Sequence, residues 1–297
     1  MTETPPPFSY DVLPDATPAR GRSWLPATSA VGVLAVVAVA LLLVLGGGSG
    51  GAGVVDAAAL VHAASGKATN AGSSDVSLTM TIKASGHTIT ATGGGSFDYR
   101  RHLGQMHIEM AGFGQLQEVI SPTGLYMRLP DSMSGVLGSS GRPWLLMSYA
   151  EFKRNGVDFT KLMNQGSGSD PASMLRMLSS AAQVRRTGTA TVDGIHTTEY
   201  SATGTLTDFV RAQGMQSAVD LSKFPPAMAN TVIRYDVWLD KTGLPRRMTM
   251  RISGGAFEGG GMDMTIDFLH YGTPVTVTVP PASLVTDMSS LLKQNGG

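Results

Sequence analysis

Six histidines, His62, His87, His102, His107, His196 and His270, are the side chains of this 297-residue chain best suited to acid–base or metal chemistry. None is paired with another at metal-ligand spacing, and no H-E-x-x-H or carboxylate cluster accompanies them. His107 alternates with Gln105 and Glu109, the pattern of a solvated strand face. The acids Glu109, Asp158, Glu199, Asp263 and Asp267 do not group in sequence. A Ser–His–Asp triad need not be contiguous, yet nothing in the residue pattern points to one, so an envelope hydrolase ranks last among the readings. There are no cysteines, which removes thiolate nucleophiles, thiolate zinc sites and disulfides. The expectation is a protein without catalysis, metal or cofactor.

Methionine is the unusual residue, with 17 copies. Met80, Met106, Met110, Met248, Met250, Met262 and Met264 fall at apolar positions of alternating segments. A flexible, polarizable side chain suits a surface that accepts varied apolar shapes, and it also serves as simple core filler. Many Met and Gly residues together specify a tightly packed interior poorly and an apolar cavity better. Inward residues of a curved sheet share one parity along each strand. That parity selects Val76, Leu78, Met80 and Ile82 on the first strand and Met106, Ile108 and Met110 on the third. Late strands contribute Met248, Met250 and Ile252, then Met264, Ile266 and Phe268. Leu175 and Leu178, three apart on a helix, are expected to cover this face.

Positioning these residues requires strands. Val76–Ile82 alternates apolar with Ser, Thr and Lys, a period-two pattern. His87–Thr92, Ser96–Arg101 and Leu103–Met110 follow, then a hairpin of Gln117–Ser121 and Leu125–Leu129. Trp144–Phe152, Asp158–Met163 and Pro171–Leu178 read as helical pieces, the last with Asp170 as N-cap and Pro171 at the first helical position. Strands resume at Val184–Thr187, Thr189–Val192 and Ile195–Thr203, with Asp193-Gly194 as a tight turn. Leu206–Gln213 reads as a short helix. Val232–Leu239, Pro245–Ser253 and Met262–Tyr271 are strands, and Thr286–Leu292 a terminal helix. An Ala-rich helix at Val54–Ala64 leads into the domain. The sum is an α+β chain of about ten strands, antiparallel, with helices inserted between two strand groups.

No charged residue occurs between Arg22 and Asp56, and Val31–Leu45 contains only Val, Leu, Ala and one Gly. About 20 apolar residues cross a bilayer as a helix, and Trp24–Gly46 meets that length. Arg20 and Arg22 precede it and the next positive charge is Lys67, which places the N-terminus in the cytoplasm and the main domain outside. A cleaved signal peptide is the competing reading. The expected organisation is a disordered Pro-rich tail over 1–23, an anchor over 24–46, a Gly/Ala-rich linker and short helix over 47–74, and a folded domain over 75–297. Lys+Arg and Asp+Glu balance at 22 each, so no global field attracts nucleic acid. The pairs Arg100-Arg101, Arg185-Arg186 and Arg246-Arg247 are solvated surface or, alternatively, face phospholipid headgroups.

Five segments resemble one family. They are Gly141-Arg142-Pro143-Trp144 with Met147-Ser148, Asp170-Pro171, and Val192-Asp193-Gly194 with Thr198 and Tyr200. Val237-Trp238-Leu239-Asp240 with Gly243-Leu244-Pro245-Arg246-Arg247 is the fourth, and Phe268, Tyr271-Gly272 and Pro274-Val275 the fifth. Together, over Asp75–Leu292, they resemble the actinobacterial lipoproteins of the LppX/LprG type, which share a half-barrel with the lipoprotein carriers LolA and LolB. The resemblance implies a curved antiparallel half-barrel wrapped over helices around a hydrophobic cavity. It further implies non-catalytic binding and movement of lipid or lipoglycan acyl chains in the cell envelope. Such lipoproteins begin with a lipidated Cys, and this chain has none. The expectation is therefore a tethered holder or hand-off station at the outer side of the cytoplasmic membrane. The alternative is an envelope sensor or assembly module that binds a protein partner and signals through its N-terminal tail.

Overall fold

The computed structural model describes residues 57–84, 87–134, 142–154, 184–212, 220–223, 226–254 and 257–288. Among them no helix is long and apolar enough to cross a membrane. The expected anchor Trp24–Gly46, the tail before it, the glycine linker after it and the Asp170-capped helix with Leu175 and Leu178 lie outside the described residues.

Twelve strands form one sheet. They are β1 (Ser73–Ala84), β2 (His87–Asp98), β3 (Leu103–Met110), β4 (Gly114–Ser121), β5 (Gly124–Arg128), β6 (Trp144–Ser148), β7 (Arg185–Val192), β8 (Ile195–Thr205), β9 (Val232–Asp240), β10 (Pro245–Gly254), β11 (Phe257–Leu269) and β12 (Val285–Asp287). Their order is β12-β6-β5-β4-β3-β2-β1-β11-β10-β9-β8-β7. Two meanders, β1–β6 and β7–β11, are thus joined through the antiparallel β1–β11 pair, in register from Asp75↔Leu269 to Lys83↔Gly261. The described helices are α1 (Ala57–Ala71), α2 (Asp131–Ser134), α3 (Tyr149–Arg154), α4 (Leu206–Ala212) and α5 (Pro226–Ala229).

Several expectations are corrected. Trp144–Phe152 is not one helix: Trp144–Ser148 is β6, paired with β5, and α3 starts only at Tyr149. A five-residue apolar run has no period that separates strand from helix, and the free edge of β5 decides it. Thr286 and Asp287, expected at the start of a terminal helix, belong to β12 (Val285–Asp287), which pairs in parallel with β6. Arg142 and Pro143 of the first motif accordingly lead into β6, which lies between β5 and β12, and Arg142 donates to the Val285 carbonyl at 3.3 Å. His87–Thr92 and Ser96–Arg101 fuse into β2 across Gly93–Gly95, and the two segments after Val184 fuse into β7 with a bulge between Arg186 and Gly188. With β6 and β12 added, the described residues contain twelve strands where about ten were expected.

Three of the resemblance motifs, at Asp193, Asp240 and Tyr271, form structural staples and turns. Asp240 closes β9. Its Oδ1 accepts from the Thr242 amide (2.8 Å), the Thr242 hydroxyl (2.6 Å) and the Leu244 amide (3.0 Å), while Oδ2 accepts both Nε (2.8 Å) and an Nη (2.7 Å) of Arg246. Burial alone raises this carboxyl, but the bonds from Thr242, Arg246 and Leu244 outweigh it and hold its pKa below the ordinary value. Gly243, at φ +80°, takes the left-handed conformation the turn needs. Arg246 lies over the Tyr271 ring, 5.5 Å from its centroid, and Tyr271 donates to the Pro245 carbonyl at 2.7 Å. The Tyr-Gly and Asp…Gly-Leu-Pro-Arg motifs thus hold each other. Asp193 and Gly194, at φ +47° and +78°, make the expected tight turn between β7 and β8.

The outer face of the central strands is polar. Asp267 faces Arg247, Asp263 faces Arg251 at 2.6 Å, and Asp236 takes Arg234 and Thr249. Arg101 is tied to Asp98 and to the Val275 carbonyl, and Arg100 to the Asn70 carbonyl. Arg185 and Arg186 are both exposed. Arg251 and Asp263 are both more than half exposed, so Arg251→Ala should change the midpoint of urea unfolding by less than about 1 kcal/mol equivalent.

Candidate apolar binding face

The register aligns the parity set across the sheet. Tyr235, Met250, Met264, Met80, Ala91 and Met110 form one cross-strand row. Val237, Met248, Ile266, Leu78, Gly93, Ile108 and Leu116 form the next. Phe268, Val76, Gly95, Met106, Glu118, Met127 and Leu145 form the third. Ile252, Met262, Ile82 and Ile89 flank the first row. All thirteen described residues of the expected set (those on β1, β3, β10 and β11) therefore share this face, and none is more than 7% exposed. Met127 and Met147 extend the methionine stretch onto β5 and β6, beyond the strands that carry the expected set.

Helices lie on the same face. Thr205 and Asp208 cap α4 reciprocally: Thr205 donates from its amide (2.9 Å) and hydroxyl (2.7 Å) to the Asp208 carboxylate, and the Asp208 amide donates back at 3.1 Å. That fixes α4 so that Leu206, Phe209 and Val210 are buried, with the Phe209 ring edge-on to Tyr235 at 5.4 Å. Helix α1 buries Val61, Ala64 and Ala68, and Lys67 donates to the Thr242 carbonyl in the β9–β10 turn. Small inward residues on β2 and β3 make the opposite part of the face shallow. At Gly104 the Phe97 ring already occupies the place of a Cβ, 2.6 Å away, so any larger residue there displaces it.

One inward residue breaks the apolar pattern. Glu118 on β4 faces Met106 and Met127 on its neighbours and lies between Leu116 and Ile120 on its own strand. It is 1% exposed, and neither carboxyl oxygen has a hydrogen-bond partner among the described residues. Desolvation pushes its pKa up to about 7. It was not among the acids singled out from the sequence. The signal was present in Leu116-x-Glu118-x-Ile120, where an acid occupies an apolar parity position.

His107 and His270 lie away from this face. His107 is exposed on the outer face, and His270 sits 3.2 Å from Asp75 at the surface. Among the described residues no three His, Asp or Glu side chains are grouped to hold a metal ion.

No family model matches the sequence. The chain is 28% identical over 213 residues to an uncharacterized 31.2 kDa protein of Streptomyces griseus encoded between rplA and rplJ, covering 70% of this chain and 66% of that one. It is 27% identical over 210 residues to a candidate lipoprotein of Streptomyces coelicolor, covering 70% and 61%. The chain thus spans just under two thirds of the length of the curated relatives it matches. Among solved structures it is similar to lipoprotein LppX of Mycobacterium tuberculosis, with 16% identity, a TM-score of 0.46, and 74% of this chain and 98% of that one covered. LprF of Mycobacterium bovis matches with 14% identity, a TM-score of 0.42, and 77% and 99% covered. By sequence, the chain is thus similar to Streptomyces proteins of which one is described as a candidate lipoprotein.

Proposed function

We propose that this protein binds the acyl chain of a lipid against the inner face of its sheet, holds or hands it on without catalysis, and does so tethered outside the cytoplasmic membrane by Trp24–Gly46. The observation that carries the reading is the continuous apolar face, in which Met248 and Met250 on β10, Met264 on β11 and Met80 on β1 are neighbours and Met106 and Met110 on β3 follow across the small residues of β2. Thioether side chains can re-pack around a flexible chain where branched ones resist. Each methylene moved from water to such a face is worth about 0.8 kcal/mol, so a long chain needs no covalent step to be held.

Binding of a fluorescent acyl probe to the full-length chain tests the reading. Met80→Arg and Met250→Arg place an unpaired charge on the inner face and should weaken binding by at least about tenfold. Thr81→Arg and Thr249→Arg, on the outer face, should stay within about twofold. Circular dichroism must show all four variants folded. Equal binding by the two pairs would remove the inner face as the site.

A further inference from the structure

Glu118 is unexplained by packing. Its two ladder partners, Met106 and Met127, and its same-face neighbours on β4, Leu116 and Ile120, are all apolar, and its two carboxyl oxygens lack partners among the described residues. No lysine or arginine occupies an inward position on β1–β6, and His87, the inward histidine there, lies at the exposed far end of β2. A buried polar group left unbonded costs stability, and a leucine in its place would fill the same space without that cost. Local rules are broken in this way where a ligand completes the arrangement.

Building on the acyl-chain reading above, we propose that Glu118 is the polar anchor of the bound lipid, its carboxyl exchanging hydrogen bonds with the uncharged hydroxyl and ester oxygens of a neutral acylglycerol. The ligand class follows from the surroundings. A phosphate or free carboxylate would meet an acid with no inward cation on β1–β6 among the described residues. An ammonium group would form a buried ion pair with no further hydrogen bonds, in which desolvation offsets the attraction. A hydroxyl beside an ester carbonyl matches what an uncharged carboxyl offers, one donor and one acceptor. The raised pKa supports that form, because it keeps a large share of Glu118 protonated near neutrality.

The test measures binding of 1-monooleoylglycerol, cis-9-octadecene and oleylamine to the full-length chain in a maltoside detergent, by displacement of the fluorescent acyl probe. The wild-type chain should prefer monooleoylglycerol over the oxygen-free octadecene by at least about tenfold, and over oleylamine. Glu118→Leu should abolish the first preference by weakening monooleoylglycerol alone, with octadecene bound as well or better. Glu118→Gln, which keeps a donor and an acceptor, should retain most of it. If Glu118→Leu leaves the preference intact, or oleylamine binds the wild type more tightly, the anchor assignment is wrong while chain binding stands. If the wild type binds no C18 ligand at all, the acyl-chain reading itself falls, and the anchor with it.

Discussion

Glu118→Leu should make the protein more stable, and by an amount that depends on pH. In the folded state burial raises the Glu118 pKa from 4.5 to about 7. Below about pH 4.5 the group is protonated in both states and contributes no pH dependence. As pH rises toward 7 the unfolded chain ionises first, so the folded state binds more protons and its stability falls with pH. Above about pH 7 the loss is complete and amounts to roughly 3 kcal/mol. For a domain of this size that is a shift of about 6–12 °C in Tm. The difference in Tm between Glu118→Leu and wild type, followed by thermal unfolding from pH 4 to 8, should therefore grow across that window and then level off. Glu118→Gln should remove the pH dependence and recover less stability, since its amide stays unbonded. Taking the difference between variants cancels the contributions of the other carboxylates. A gap that is constant with pH would mean that Glu118 is not desolvated.

Asp240→Ala should have the opposite and comparable effect. The carboxylate receives five hydrogen bonds, from Thr242, Leu244 and Arg246, and its side chain is only 4% exposed. Its removal leaves the Arg246 guanidinium, 22% exposed, without its counter-ion and frees two turn amides. Breaking such a pair from one side costs roughly 3–5 kcal/mol. Arg246 also lies over Tyr271, so the change should loosen the junction between the β9–β10 turn and the end of β11. Because the folded Asp240 pKa is lowered, its contribution is present above the unfolded carboxylate pKa and is lost as pH falls through the folded one. Urea unfolding at pH 7 reads the main effect, and the gap to wild type should shrink in acid. An unchanged midpoint would contradict the role assigned to this turn.

The strands with a polar and an apolar side were legible from residue order alone. β3 has the bounds its alternation implies, Leu103–Met110, and the inward parity of β1, β3, β10 and β11 follows from the same period. What was not legible depends on distant partners. Trp144–Leu145–Leu146–Met147 has no period, and Val285–Asp287 is a strand only because β6 offers an edge. The β1–β11 pair joins segments nearly two hundred residues apart, which no local signal encodes. Glu118 was overlooked for a different reason. An acid in a short hairpin strand is ordinarily solvent-facing, and its parity matters only once Met106 and Met127 are known to flank it. The resemblance motifs, in turn, mark the staples at Asp240 and Tyr271 and touch the apolar face only at a few positions such as Phe268, Val237 and Met147.

The most direct measurement is native mass spectrometry with lipid extraction on the full-length chain purified from an actinobacterial host, beside Met80→Arg prepared in the same way. The account predicts wild-type protein carrying an added mass that extraction resolves into an acyl lipid, and folded Met80→Arg largely without it. Wild-type protein that is free of lipid and also fails to bind a fluorescent acyl probe would contradict it.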